Sequence, residues 1–267
     1  RVLGVFMFKS GRDLLKICKE ENLAIWQIML REEVENFSTS EEEILERNKE
    51  ILAVMKESAD EATKKDVKSV SGIIGGDAKK LYDYSQKGDS LLGSDVLEIM
   101  ALGLSTSEIN AAMGKIVAAP TAGAAGIMPA VLTSLQRQKG LDDDTLIKGL
   151  LTSGAIGSII VRNASVSGAV GGCQAECGSA AAMAAGAIVE MMGGSPEEAL
   201  DAASFALIHI MGLICDPIAG LVEYPCLFRN SSGAINAYIS ADMALAGIKS
   251  LAPFDEVGEA MKQLFLF

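Results

Sequence analysis

Aromatic residues make up only 5% of this 267-residue chain, and its 23 basic residues are outnumbered by 35 acidic ones. The resulting net charge of −12 is repelled by a phosphate backbone, so nucleic acid is not an expected partner. The single histidine, His209, lies in the apolar run Phe205–Met211 and is expected to be a satisfied core residue. That leaves no imidazole base, no Ser/His/Asp triad and no histidine-rich metal site. The N-terminal stretch Arg1–Arg12 lacks a long apolar h-region and a small-residue cleavage site, so no secretory signal is expected. Met7 reads as a natural start, which makes Arg1–Phe6 a leader or an upstream readthrough. The uncharged run Ile116–Gln136 is long enough to span a bilayer. It is interrupted by Pro120, Gly123, Gly126, Pro129 and hydroxyl residues, and reads as a loop entering a buried helix rather than a membrane span. Five cysteines are an odd number, and with no export signal they point to a reduced, cytoplasmic chain without a disulfide framework.

What is abundant is small and apolar. A content of 49% hydrophobic residues is enough to bury a sizeable core, and few β-branched or aromatic residues beside much Ala, Leu, Met and Glu lean towards helix. Residues 1–70 form a charge-dense amphipathic segment. Leu14, Leu15, Ile17, Cys18, Leu23, Ile25, Ile28 and Met29 recur at helical spacing, and Ser38-Thr-Ser-Glu-Glu is a helix cap ahead of the stripe Ile44, Leu45, Ile51, Leu52, Val54 and Met55. Residues 71–267 are paler. The runs Leu146–Ile160, Ala180–Met192 and Ala202–Leu213 are apolar almost all round, as helices in the middle of a bundle are. No repeat and no low-complexity linker divides the halves, so the expectation is one all-α unit: a compact bundle of Gly/Ala-rich helices with an N-terminal helical extension.

The chemistry is expected between those helices, in Gly72–Lys79, Ala119–Pro129, Asn163–Glu176 and Cys215–Asn230. The loop Ala119-Pro-Thr-Ala-Gly-Ala-Ala-Gly-Ile-Met-Pro129 can present backbone N–H groups to a carboxylate or phosphate, although it is neither a Walker A motif nor a dinucleotide fingerprint. Four of the five cysteines fall within 54 residues: Cys173 and Cys177 in Gly171-Gly-Cys-Gln-Ala-Glu-Cys177, Cys215 in Cys215-Asp-Pro-Ile-Ala-Gly220, and Cys226 in Glu223-Tyr-Pro-Cys226. Three cysteines on separate rigid turns suit an iron–sulfur cluster that leaves one iron open. The Cys173/Cys177 pair is alternatively the start of a zinc site, and buried inert thiols are a third reading. Most carboxylates lie on the charged helices; Glu176 and Glu223, beside cysteines in pale loops, are exceptions.

Taken together, Ala119–Gly126, Asn163-Ala-Ser-Val-Ser-Gly168, Gly171–Glu176, Cys215–Gly220 and Glu223–Cys226, with Gly75-Gly-Asp-Ala78 and Ala241-Asp-Met-Ala-Leu-Ala-Gly247, resemble the α chain of iron–sulfur-dependent L-serine dehydratases. The similarity runs in order from about Met7 to Met261. The resemblance implies PLP-independent deamination of L-serine to pyruvate and ammonium. It also implies a [4Fe–4S] cluster on Cys173, Cys215 and Cys226, whose fourth iron serves as a Lewis acid towards the substrate hydroxyl. Residues 71–267 become the cluster-binding core in this picture. Thr121, Ala122 and Gly123 fall in the family's substrate-carboxylate cradle, and Asn163, Ser165 and Ser167 are further pocket candidates; no catalytic residue is assigned.

The family carries a Ser-Ser-Ser-His-Thr-x-Gly-Pro motif on a separate β chain or a fused N-terminal domain. That motif is absent from this sequence, so a β chain is an expected partner, forming a heterodimer. Cys177 stands where the family usually has an aliphatic residue and is read as a neighbour of the cluster rather than a ligand. The family's α chain normally continues past the present end, Leu264-Phe-Leu-Phe267, with a glycine-rich segment. Two alternatives stay open: a related hydro-lyase for another small hydroxy or amino acid, and an inactive truncated paralogue that binds a partner or senses redox state.

Overall fold

The computed structural model describes residues 7–264. The leader reading of Arg1–Phe6 and the last three positions, 265–267, lie outside the described residues. Eleven α-helices and no β-strand occur among them: α1 (Gly11–Glu21), α2 (Ile25–Phe37), α3 (Glu41–Lys64), α4 (Asp77–Ser85), α5 (Ser94–Ala111), α6 (Ile127–Lys139), α7 (Asp143–Asn163), α8 (Gly168–Met191), α9 (Pro196–Ile210), α10 (Cys226–Leu245) and α11 (Phe254–Gln263). The fold is all-α, as composition predicts.

The charged helices begin where capping chemistry starts them. Ser40 accepts the amide of Glu43 at 3.2 Å at the head of α3, and three glutamates in its first turn complement the helix dipole. Their apolar stripes join one core with the rest of the chain: Leu14, Ile25, Ile28, Ile44, Leu52 and Met55 are buried in the same cluster as Ile127, Leu132, Leu146, Ile156 and Phe205. A buried ion pair fastens the two regions. Glu32, only 2% exposed, accepts from Arg162 of α7 at 3.2 Å and from the amide of Met7 at 3.0 Å.

Helix α8 runs through the middle, packed by α7, α9, α10 and α6. Glycines let α7 and α8 approach. A Cβ at Gly149 would meet Met191 Sδ at 2.5 Å, and one at Gly186 would meet Ile156 Cδ1 at 2.1 Å. A methionine from α8 therefore fills a notch in α7, and an isoleucine from α7 fills one in α8. α7 is the one described helix long and apolar enough to cross a membrane, and most of it is buried inside the bundle. The uncharged run Ile116–Gln136 is a loop followed by the buried front of α6.

Two boundaries differ from the sequence expectation. Asn163–Glu176, read as a loop, contains the first turns of α8, bent at Gly172 (φ +75°). Likewise α10 starts at Cys226, so the loop expected to reach Asn230 ends earlier. Glycine and proline clusters suggest open loop, yet here the glycines admit close backbone neighbours while the chain turns helical on either side.

Candidate active site

The bend at Gly172 places the first cysteine. Positive φ there suits glycine, and a Cβ would meet the Leu213 carbonyl at 2.6 Å, so only glycine lets α8 lie against the segment after α9. Two bonds seal the approach: the Gln174 amide donates to Leu213 O at 3.0 Å, and the Gly212 amide donates to Gln174 Oε1 at 2.8 Å. Cys173 is buried, Cys226 heads α10 and is buried, and Cys215 is exposed in the turn between them.

The thiols share one electrostatic environment. A hydrogen bond from Cys177, and then Arg229, hold the Cys173 thiol well below the usual range against the opposing effect of burial. Cys177 is pushed up in return. Burial, followed by the negative charges of Cys173 and Glu176, drives Cys226 to about 11 and raises Cys215 as well. Arg229 donates to Cys173 Sγ at 3.0 Å and to the Ile214 carbonyl at 3.3 Å, and it pairs with Asp216 at 2.5 Å. Sequence reasoning missed this arginine, although it is the one basic residue between positions 163 and 248. A lone cation in a stretch whose other charged side chains are all acidic is a signal that could have found it.

The glycine-spaced loop 119–126 lies beside the thiols because Asn230, four residues after Cys226 on α10, holds it. Asn230 is 1% exposed; its Oδ1 accepts the Gly126 amide at 2.8 Å and its Nδ2 donates to the Gly123 carbonyl at 2.6 Å and the Cys226 carbonyl at 2.9 Å. A Cβ at Gly126 would meet the Gly103 carbonyl at 2.4 Å, so α5 and the loop touch backbone to backbone. Asn110 donates to the Ala122 carbonyl at 3.0 Å. The amides of Ala124, Ala125 and Gly126 are spent within the protein, whereas those of Ala122 and Gly123 have no acceptor among the described residues. The loop tip thus keeps two donors for an anion.

Glu176 connects loop and thiols. The Thr121 hydroxyl donates to its Oε1, and Gly123 and Gly168 bracket the carboxylate: a Cβ on either would lie 2.6 Å from Oε1 or 2.5 Å from Oε2. Glu223, 7% exposed, receives the Ser71 hydroxyl at 2.6 Å, bringing the 69–76 loop to the same end of the bundle.

The structure therefore brings Thr121, Ala122 and Gly123 together with Glu176, one helical turn from Cys173. Ser167 stands at the head of α8, and its amide bonds Ser165 Oγ at 3.1 Å. Asn163 is not in this group: its amide donates to the Lys9 and Ile159 carbonyls at 2.9 and 3.0 Å, holding the N-terminal strap against α7. His209, expected in the core, is exposed at the end of α9, its Nδ1 2.7 Å from Asn236 Oδ1. The apolar run around it is real, but the helix turns this position outward.

A helical bundle with thiols, an anion-ready loop and a carboxylate at one end defines a class of enzyme-like site, and comparison gives it a family. Residues 20–266 match the serine dehydratase alpha chain family, and the chain belongs to it. It is 51% identical to the L-serine dehydratase alpha chain of Peptoniphilus asaccharolyticus, over 97% of this chain and 88% of that one. It is 46% identical to the probable L-serine dehydratase alpha chain of Bacillus subtilis, over 97% and 86%. With the L-serine dehydratase of Streptomyces coelicolor it shares 39% identity over 97% of its own length but only 57% of that longer protein.

Proposed function

We propose that this chain is the cluster-bearing subunit of an L-serine dehydratase, converting L-serine to pyruvate and ammonium together with a β chain. The observation that carries the reading is the shared environment of Cys173, Cys215 and Cys226 around Arg229 and Glu176. Among the described residues no three His, Cys, Asp or Glu side chains gather as a single ion requires, which disfavours the zinc reading of Cys173 and Cys177. A [4Fe–4S] cluster takes each thiolate on a different iron, and three cysteine thiols with the Arg229 guanidinium beside one of them are a donor set that suits it. Cys173, Cys215 and Cys226 would hold the cluster, which when bound supplies a Lewis acid for departure of the serine hydroxyl.

The chain's own residues do the rest of the placing. The free amides of Ala122 and Gly123 receive the substrate carboxylate. Arg229 supports the charge on Cys173, and the buried packing behind Cys173 and Cys226 keeps water from that side of the site. Large apolar side chains stand exposed around the mouth: Val70, Ile214, Ile218, Val222, Tyr224 and Phe228. This rim supports a partner that covers the site, as does the greater length of the single-chain relative. The partner then contributes the imidazole that this chain does not place here.

The test is iron and acid-labile sulfide analysis of anaerobically purified chain, with its visible spectrum. About four of each per chain are expected, and Cys215→Ser is expected to lose most of the iron. Zinc, no metal after anaerobic reconstitution, or full iron in the serine variant would overturn the assignment. Serine turnover after addition of the β chain tests the reaction itself.

A further inference from the structure

Glu176 is a half-buried carboxylate in a close-fitting niche and is not the ion-pair partner of Arg229, the cation at this end of the bundle. Thr121 donates to one oxygen, and Gly123 in the 119–126 loop and Gly168 at the head of α8 lack the side chains that would displace it. The nearby guanidinium is committed elsewhere, since Arg229 pairs with Asp216 and donates to Cys173. Asp216, not Glu176, is the carboxylate that Arg229 holds. Immediately next to Glu176 are the two unspent amides of Ala122 and Gly123. Anion donors and a carboxylate, side by side, match the two ends of a zwitterion.

We propose that Glu176 binds the α-ammonium group of the substrate and so sets the preference for an α-amino acid over an α-hydroxy acid. This deepens the dehydratase reading and rests on it for the identity of the substrate. The ammonium supplies a counter-charge to the carboxylate, while Thr121 keeps that carboxylate turned towards the loop tip. The site then selects a carboxylate with an ammonium on the adjacent carbon. A hydroxy acid forgoes the charge-assisted bond to Glu176 and is bound more weakly.

The test uses the cluster-reconstituted α/β enzyme and Glu176→Gln, with Glu176→Asp as the conservative companion. Iron content and far-UV circular dichroism are checked first, so that a folding failure is seen as such; if the glutamine variant does not fold, the aspartate variant carries the test through a smaller shift of the same sign. Equilibrium binding is measured with two inert probes, L-alanine, which keeps the ammonium but has no hydroxyl to lose, and L-lactate, which replaces the ammonium. The wild type is expected to prefer L-alanine by about ten- to a hundredfold, and Glu176→Gln to lose that preference. In turnover, KM for serine rises by a similar factor while kcat changes much less. An unchanged alanine-to-lactate ratio overturns the proposal, and so does a collapse of kcat at constant KM, which marks Glu176 as a proton carrier instead. A wild type that binds and selects L-alanine without consuming serine leaves this assignment standing and overturns the dehydratase reading alone.

Discussion

Helices α3 and α8 have the same length, 24 residues, and bury themselves by opposite means. α3 carries a stripe of large residues, Ile44, Leu52 and Met55, on a shaft otherwise covered with Glu and Lys. α8 is buried along most of its length and is built largely of Ala and Gly, with neighbours all round. In α3 the stabilising volume is on the helix itself. In α8 the helix supplies space, and its partners bring the volume. The first design tolerates almost any surface residue but no loss from the stripe; the second tolerates no gain. The second is also the one that brings backbone and functional groups close enough to build a site.

The contrast predicts mutations of opposite kind. Truncating the stripe should have the largest effect on stability: Leu52, 1% exposed, replaced by Ala is expected to cost about 2–5 kcal/mol in denaturant unfolding. On α8 the damaging change is an addition. Gly186→Val drives a side chain into Ile156 and is expected to cost about 1–3 kcal/mol. Adding Ile156→Ala should recover part of that loss, because the two share one notch. If Gly186→Val is neutral, or the second change makes matters simply additive, the notch-filling account of the α7–α8 contact is wrong.

The same contrast decides how legible each region was. Periodicity and the cap at Ser40 disclose α1–α3 because a one-sided helix prints its buried face into the sequence. A helix buried all round prints no face, so α8 was visible as a helix only from Ala180 onward, and its opening turns through Gly171-Gly-Cys read as loop. The cysteines and the 119–126 loop were recognisable from residue type and spacing. Asn230 was not, because its role comes from reaching across the bundle to Gly123 and Gly126, and Arg229 stood out only as a lone cation, its contact with Cys173 being a product of the fold. Asn163 illustrates the converse: it adjoins a functional motif in sequence, yet its side chain serves the N-terminal strap.

The smallest expected effect tests how the two regions are joined. Glu190, near the end of α8, reaches back to the head of α2, where Ala24 offers no capping side chain. Its Oε1 accepts the Trp26 amide at 3.1 Å. Burial raises its pKa above the ordinary glutamate value, and the bond from the Trp26 amide only partly offsets this. A carboxyl whose folded pKa lies above its unfolded one binds its proton more tightly in the folded state. Its contribution is therefore greatest below the unfolded value of about 4.5 and is lost as pH rises through the folded value. Glu190→Gln keeps an oxygen for the Trp26 amide and carries no charge to desolvate. Its stability relative to the wild type should rise across that window and level off above it, as followed by urea midpoints from acid to neutral pH. A gap that shrinks instead would mean that the dipole of α2 and its amides outweigh burial, making this end of α8 a charged cap rather than a buried acid.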